Sequence, residues 1–176
     1  MPILSCNERW LEMKLENTNK YYYEDGTTST SSEREDSKTL HRKDGPAVEF
    51  ANGYKAWYIN GVRHREDGPA IEYASGDKEW YLNGEYHRED GPALEHINGT
   101  RSWYVNGTRH REDGPANEYP DGSKRWYINN NRLFTLTKEH LIKYMELKHL
   151  TVAHLLTDTD EMVRTSASKY DWKKIL

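Results

Sequence analysis

The sequence contains a single cysteine, Cys6, among its 176 residues. One thiol excludes an intramolecular disulfide framework and any zinc site built on several cysteines. Long apolar runs are also missing, because no stretch approaches the roughly 18 residues that a membrane-spanning helix requires. The first residues lack the basic and apolar segments of a signal peptide. From these absences we expect a soluble protein of a reducing compartment, with the cytoplasm as its location.

Large aliphatic side chains are few as well, since Leu, Ile, Val and Phe together number 28 of the 176 residues. Such a low fraction is typical of disordered chains when the net charge is high. Here the net charge is only −4, and 13 Tyr and 6 Trp are far too many for a solvated chain. The composition therefore predicts a folded protein with a thin aromatic core. The balance of 25 basic and 29 acidic residues gives no cationic field, so we do not expect nucleic-acid binding.

What the sequence has in abundance is internal repetition, with a period of 23 residues. The motif His-Arg-(Lys/Glu)-Asp-Gly-Pro-Ala begins four times, and a Trp-Tyr pair and an Asn-Gly or Asn-Asn pair follow it at fixed distances. This repetition is the signature of a repeat architecture, here over residues 41–132. The repeated residues are His41, His64, His87 and His110; Asp44, Asp67, Asp90 and Asp113; and Trp57, Trp80, Trp103 and Trp126.

Each repeat is predicted to form two short strands joined by a tight turn. In the second repeat, residues 70–73 alternate apolar and polar, Ser75-Gly76 turns the chain, and residues 79–82 run back. Asn-Gly and Asp-Gly pairs favour type I′ turns, and Asn130 replaces Gly in the last one. Stacked hairpins give a mainly β, single-layer antiparallel sheet. We expect the Trp row to interlock as its thin core, with the Tyr row on the opposite face.

The two ends depart from the repeat. Residues 1–40 are interpreted as an N-terminal cap with a degenerate repeat, because residues 22–26 match its strand and turn and precede a polar loop four residues longer than usual. Residues 133–176 lose Gly and Pro and gain helical spacing of apolar residues. Thr137 is the predicted N-cap of one helix, and Asp158 or Asp160 that of another. We expect these helices to close the end of the sheet.

The run from Trp80 to His87, followed by Gly91 and Gly99, resembles a MORN-type repeat, specifically the variant MORN-like family. That family has a strand pair in each unit and a Trp/Tyr-x-x-Asn-Gly-x-x-His core. After the histidine, its usual His-Gly-x-Gly is replaced here by His-Arg-x-Asp-Gly-Pro-Ala, which is similar to repeat proteins of bacteriophages, giant viruses and some bacteria. The resemblance covers about residues 41–132. It implies a binding scaffold for protein partners or anionic phospholipids and supplies no catalytic residues.

The four His-Arg-x-Asp motifs are the obvious candidates for chemistry. Equivalent residues in stacked hairpins lie two strands apart, about 9–10 Å, whereas zinc ligands converge at about 2.0–2.1 Å from the metal. An active site is also normally single, and these residues occur four times. We therefore expect no catalytic residue, no metal and no cofactor. The structural interpretation is that Asp67 bonds turn amides and that Arg65 or His64 braces the neighbouring loop.

Candidate partner contacts come from the Tyr row and from positions that differ between repeats near the turns. The Tyr row is either a binding face, since Tyr is enriched at interfaces, or the partly covered second side of the sheet. Variation at exposed positions reflects either partner recognition or random drift. The candidate partner-binding residues are Tyr58, Tyr81, Tyr104, Tyr127, Arg63, Arg109, Lys124 and Arg125.

Our leading hypothesis is a non-enzymatic β-repeat module that engages a protein partner. By the resemblance, the most specific version is a phage or viral protein that inhibits a host defence component in the host cytoplasm. One alternative is a peripheral membrane module that binds anionic phospholipid through Arg63, Arg109, Lys124 and Arg125. A second alternative is an enzyme that uses one His-Arg-Glu-Asp loop. Uncapped sheet edges would also allow a homodimer.

Overall fold

Short antiparallel strands make up most of the computed structural model, which describes residues 19–30, 38–134, 136–158 and 160–172. The fold is mainly β, as the sequence predicts, with seventeen strands and three short helices in this part of the chain. The chain divides into two compact units, Met1–Glu85 and Tyr86–Leu176. No helix among the described residues is long and apolar enough to cross a membrane. Cys6, residues 1–18 of the expected cap and residues 31–37 of the polar loop lie outside the described residues.

The first unit contains one open sheet and a small separate hairpin. Its strands are β1 (Lys20–Tyr22), β2 (Thr28–Ser29), β3 (Val48–Glu49), β4 (Lys55–Ala56), β5 (Tyr58–Ile59), β6 (Val62–Arg63), β7 (Ile71–Glu72), β8 (Lys78–Glu79) and β9 (Tyr81–Leu82). Six of them form an antiparallel sheet in the order β2-β1-β3-β4-β7-β8. β5 and β6 form the separate hairpin, in which Tyr58 lies opposite Arg63.

The second unit repeats this plan and adds the helices. β10 (Glu85–Tyr86) spans the unit boundary, and β11 (Leu94–Glu95), β12 (Arg101–Ser102), β13 (Tyr104–Val105), β14 (Thr108–Arg109), β15 (Asn117–Glu118), β16 (Lys124–Ile128) and β17 (Asn131–Leu133) follow. The sheet order is β11-β12-β15-β16-β17, and β13 pairs with β14 alone. The helices are α1 (Lys138–Lys148), α2 (Val152–Leu156) and α3 (Glu161–Ala167).

A complete repeat therefore contains two hairpins, whereas the sequence predicts one. The expected continuous strand over residues 79–82 is interrupted at Trp80, so that β8 belongs to the sheet and β9 does not. The equivalent residue of the first repeat, Trp57, shows the cause. Its N–H donates to Ala70 (2.8 Å) and its carbonyl accepts from His64 (3.2 Å), and both partners belong to the motif of the next repeat. The last repeat has no successor, and its second strand, β16, runs unbroken over five residues.

The two turns of a repeat differ in type. At the first turn the Gly53 N–H donates to Phe50 (2.9 Å), the Phe50 N–H donates to Tyr54 (2.9 Å), and only Gly53 has a positive φ, 96°. This is a three-residue loop with a bulge, so the type I′ prediction is wrong there. At the second turn both residues have positive φ, as type I′ requires. In the last repeat these are Asn129 (49°) and Asn130 (63°), which confirms the predicted replacement of Gly by Asn.

Small residues, and not the Trp row, fill the interior of the repeats. The fully buried positions include the alanine that ends each His-Arg-x-Asp-Gly-Pro-Ala motif, namely Ala47, Ala70, Ala93 and Ala116. Trp57, Trp80 and Trp103 are only partly buried, whereas Trp126 is 1% exposed. The predicted Trp core is therefore wrong for three of the four repeats. The buried interior of the repeats also includes Val48 and Ile71, and the three partly exposed indoles lie outside it.

The degenerate first repeat has a different phase from the one that the sequence suggests. Lys20 pairs with Glu49 and Tyr21 with Val48. In the next repeat, Lys55 pairs with Glu72 and Ala56 with Ile71 in the same way. Tyr22 donates to Ala47 (2.8 Å) and accepts from His41 (3.0 Å), the two bonds that Trp57 makes in its repeat. β1 is therefore equivalent to β4, and the described copy begins halfway through a repeat. The matching of residues 22–26 to the first strand and turn is wrong.

The C-terminal helices pack on the last repeat. Thr137 accepts a hydrogen bond from the His140 N–H, and Asp160 accepts from Met162 and Val163, so both predicted N-caps are confirmed. Apolar residues from all three helices surround the indole of Trp126. This cluster consists of Trp126, Leu136, Leu141, Tyr144, Met145, Leu155, Val163, Ala167 and Trp172. The aliphatic side chains that the repeats lack are concentrated here.

Candidate binding surfaces

The arginine of each His-Arg-x-Asp motif is held by contacts on every side. The Arg65 guanidinium donates to Asp67 (2.8 Å), the Pro69 carbonyl (3.2 Å) and Glu72 (3.3 Å). It also lies over the Trp57 ring at 4.0 Å from the centroid. Asp67 therefore accepts from Arg65 and not mainly from turn amides, which differs from the prediction. The hydrogen bond from Arg65 lowers the pKa of Asp67.

The glycine of the motif is explained by the same arginine. A Cβ placed on Gly68 would lie 2.9 Å from Cζ of Arg65, closer than side-chain carbons approach. Gly45, Gly91 and Gly114 stand in the same relation to their own arginines. The glycine thus provides space for a guanidinium. Arg42, Arg88 and Arg111 make the same bonds as Arg65 to aspartate, proline carbonyl and glutamate.

Each motif histidine connects the start of its repeat to the second turn of the same repeat. Nδ1 of His64 lies 3.2 Å from the backbone nitrogen of Asn83 and 3.0 Å from its side-chain oxygen. His41 contacts Asn60, His87 contacts Asn106 and His110 contacts Asn129 in the same way. The expected bracing of a neighbouring loop by His64 is therefore present. Among the described residues no group of three or more His, Cys, Asp or Glu side chains could hold a metal ion.

One groove, built by these motifs, occurs in equivalent form in both units. The unit 1 groove encloses about 670 Å³, and the unit 2 groove encloses about 690 Å³. Trp57 and Ile59 form the apolar floor of the first, and Trp103 and Val105 that of the second. The walls are charged motif residues. Carboxylates dominate the exposed rim, with side-chain exposures of 83% for Glu66, 85% for Asp67, 89% for Glu89 and 85% for Asp90.

The candidate Tyr and Arg residues of the first unit lie inside a polar network. Arg63 donates to the Tyr81 hydroxyl (3.0 Å), which donates to Glu79 (3.0 Å). Tyr73 donates to the other oxygen of Glu79 (3.1 Å). Tyr81 is only 5% exposed. This network joins the small hairpins to the sheet, so the covered-side interpretation describes the Tyr row of this unit better than the binding-face interpretation.

The second unit holds its candidate arginine between two tyrosines. The Arg109 guanidinium lies 5.4 Å from the Tyr104 ring and 5.5 Å from the Tyr127 ring. Its backbone N–H donates to the side chain of Asn130 (2.8 Å). Tyr104, Tyr127 and Arg109 are all half-buried. The structure therefore brings together Tyr58, Arg63 and Tyr81 in one unit and Tyr104, Arg109 and Tyr127 in the other.

The two remaining candidates differ from each other. The charge of Lys124 is paired within the helical segment, because its ammonium group donates to Asp158 (2.6 Å) and lies over the Tyr144 ring. Although burial opposes its charge, the hydrogen bonds that its ammonium group donates to Asp158 and Tyr144 give Lys124 a raised pKa. Arg125 is exposed and stacks on Tyr119 at 5.0 Å. Only Arg125 of this pair presents its charge to solvent.

A third groove lies at the end of the repeats, where the sequence predicts no site. The end groove, lined by residues of β17 and α3, encloses about 520 Å³ beside Phe134, which is 75% exposed. Leu133 and Phe134 stand 23 residues after His110 and Arg111, so they replace the His-Arg of the motif. That replacement is the signal in the sequence that points to this end of the repeats.

No family model matches the chain, and no curated protein is significantly similar to it. The resemblance to MORN-type repeats therefore rests on the motif residues alone and stays a prediction.

Proposed function

We propose that the protein is a non-enzymatic β-repeat module that binds a protein partner through the unit 1 groove and the unit 2 groove, which together are called the groove row. The observation that carries the proposal is the occurrence of the same groove in both units, on a framework whose motif arginines and histidines bond other residues of the repeats. An apolar floor with a charged rim is typical of a surface that accepts side chains from another protein. The rim residue differs between equivalent copies, Lys43 in one and Glu89 in another.

The contacts of the motif residues support a non-enzymatic role. A general base needs a group within hydrogen-bond reach of a substrate proton. His64 instead directs Nδ1 at Asn83, and Arg65 and Asp67 bond each other. The same assignment of groups recurs in every copy, as expected for a scaffold whose units contact only their neighbours.

The phospholipid alternative has less support from the surface. Of its four proposed cations, Arg63, Arg109 and Lys124 are engaged with tyrosines or Asp158, and Arg125 is the exposed one. The rim carboxylates of the grooves would repel an anionic bilayer. Sedimentation with anionic vesicles at low salt tests this alternative, and we expect the protein to stay in the supernatant.

The narrower version of the proposal is a phage or viral protein that inhibits a host defence component in the host cytoplasm. Its support is the likeness of the His-Arg-x-Asp-Gly-Pro-Ala motif to repeat proteins of phages, giant viruses and some bacteria. A binding scaffold without chemistry of its own would act there by occupying a surface of the host protein.

Affinity capture with charge-reversed variants tests the groove row. The double variant Glu66→Arg, Glu89→Arg changes one exposed rim residue in each groove. The matched control Glu24→Arg, Glu146→Arg makes the same change in charge at exposed positions outside the grooves. We expect the wild type and the control to enrich the same protein and the rim variant to lose it. Equal enrichment by all three, or enrichment of no protein, would overturn the proposal.

A further inference from the structure

The second turn of every complete repeat is bonded to the residue that ends the second hairpin of the preceding repeat, or to its counterpart Leu40. The turn residue donates its N–H to the backbone carbonyl of that residue. The bonds are Gly61 to Leu40 (2.9 Å), Gly84 to Arg63 (2.8 Å), Gly107 to Tyr86 (2.9 Å) and Asn130 to Arg109 (2.9 Å). In the last step Arg109 also donates its N–H to the Asn130 side chain (2.8 Å). Each of these four acceptor residues is thus a docking point for a tight turn.

Arg132 occupies the equivalent position in the last repeat, 23 residues after Arg109. In the β16–β17 hairpin Asn131 pairs with Ile128 next to the two-residue turn, and Arg132 pairs with Tyr127. The pair beside a two-residue turn exchanges hydrogen bonds, and the next pair does not. The N–H and carbonyl of Arg132 therefore point away from β16. Within the described part of the chain, no hydrogen bond reaches either group.

The helical segment covers the sheet at this end but leaves the turn-docking position exposed. Asp160 accepts from the Lys124 backbone (2.9 Å), and the Tyr144 ring packs against Trp126 at 5.4 Å. Beside them, Phe134 remains 75% exposed, with the Arg132 guanidinium 5.1 Å from its ring. A strand edge and a large aromatic side chain together form an uncovered surface that soluble proteins normally protect.

We propose that the end groove docks a β-hairpin of a protein partner, whose turn bonds the backbone of Arg132 and whose apolar side chain covers Phe134. The evidence for this occupant is continuity with the contacts between repeats, because a tight turn fills every equivalent position of the described repeats. The groove carries charges of both signs, Arg125 and Lys169 against Asp121 and Glu161. This mixture suits a polar hairpin and gives no preference for a polyanion. The site is separate from the groove row of the proposed function.

Amide hydrogen exchange of the full chain tests whether the docking position is open. We expect the Arg132 amide to exchange fast and the Arg109 amide to be protected, since only the latter has an acceptor. Equal protection of both amides in dilute protein would overturn the proposal. Protection of Arg132 that grows with protein concentration would identify a second copy of this chain as the occupant and would also overturn it.

A cyclic peptide with the sequence of residues 103–110, which includes the Asn106-Gly107 turn, is a direct probe of binding. Titrated into the ¹⁵N-labelled full chain, it should shift and protect the amides of Arg132 and Phe134. Phe134→Ala should weaken its binding about tenfold, as for a central aromatic contact. The control Ile97→Ala removes an equally exposed apolar side chain, 73% against 75%, and should leave binding unchanged.

Arg132→Pro removes the outward N–H at an edge position where proline is tolerated, and it should also reduce binding. Peptide shifts elsewhere on the chain, or equal affinity for both Phe134→Ala and wild type, would contradict the proposal. The rim variant Glu66→Arg, Glu89→Arg should bind the peptide normally. Failure of the peptide experiment is therefore distinguishable from failure of the groove row.

Discussion

At the residue scale, one arginine explains four other repeated residues, two within its own motif and two outside it. Arg65 requires the glycine that leaves it space, the aspartate and glutamate that accept from it, and the indole on which it stacks. A guanidinium is suited to this role because its five donors lie in a rigid plane that also stacks on aromatic rings. The motif is therefore a structural unit whose parts depend on one another.

Gly68→Ala tests this dependence. We expect a loss of about 1–3 kcal/mol in the free energy of unfolding, because the new methyl group displaces the Arg65 guanidinium from Trp57. Urea denaturation measures the loss. In an Arg65→Ala background the same glycine change should cost clearly less, since the obstructing group is gone. Additive losses in the double variant would show that the glycine serves another purpose.

Tyr73 provides a pH-dependent test of the buried network around Glu79. Burial and the neighbouring Glu79 carboxylate raise the pKa of Tyr73 to about 12, from about 10 for an ordinary tyrosine. Because the folded state disfavours the phenolate, this contribution to stability is complete below pH 10 and is lost as the pH rises toward 12. NMR of ¹³C-labelled tyrosine should show the late titration, with the signal assigned by Tyr73→Phe.

The same tyrosine can be separated from the twelve others by a second variant. Glu79→Gln removes the negative charge and one of the two acceptor oxygens, so the pKa of Tyr73 should move back toward its ordinary value. Stability of Tyr73→Phe should fall less between pH 10 and 12 than that of the wild type. An unchanged Tyr73 titration in Glu79→Gln would show that the Glu79 charge does not contribute to the raised pKa of Tyr73.

At the scale of elements, the helical segment substitutes for a fifth repeat. Within the sheet, Arg101 of β12 lies opposite Glu118 of β15, which is the first strand of the next repeat. In the last repeat Asp158 supplies the carboxylate for Lys124, and Asp160 supplies an acceptor for its backbone N–H. Solenoid ends need such caps because they lack the neighbour that satisfies them. The helical segment thus satisfies Lys124 of the sheet, whereas the backbone of Arg132 is available to the proposed partner.

Asp160→Ala should destabilise the protein by about 2–4 kcal/mol, because it removes a helix N-cap and also leaves the Lys124 amide without its acceptor. Thr137→Ala removes only the N-cap of α1 and should cost about 0.5–2 kcal/mol. Thermal or urea unfolding of the two variants measures the difference. Equal losses would mean that the bond from Asp160 to β16 contributes nothing.

At the scale of the whole molecule, some local backbone preferences are predictable from the sequence, such as those of the second turn, whereas long-range contacts are not. Asn130 is correctly predicted to adopt a left-handed conformation, because that preference belongs to the residue itself. The place of Trp57 depends on Arg65 and on a backbone bond to the next repeat, which periodicity does not reveal. The prediction of the phase of the first repeat is wrong for the same reason, since that phase is defined by the pairing of β1 with β3. The sequence identifies the motif residues that line the grooves, but it does not show that motifs of successive repeats come together to form them.

Because each histidine bonds the second turn of its own repeat in the same way, replacing the histidines one at a time should give nearly equal losses of stability. His64→Ala, His87→Ala and His110→Ala should each cost about 0.5–1.5 kcal/mol, the contribution of one hydrogen bond to a partly buried group. His64→Ala combined with His110→Ala should cost the sum of the two. Urea unfolding measures stability, and capture of the partner measures binding.

Equal losses would have a consequence for function. In an enzyme with one active centre, a single histidine would abolish activity while its copies affected stability only. In a binding module built from equivalent repeats, no copy is special, and the partner should be retained until the fold itself fails. One histidine far more sensitive than the others in the capture assay, at unchanged stability, would therefore contradict the binding-module proposal and favour a His-Arg-Glu-Asp active site.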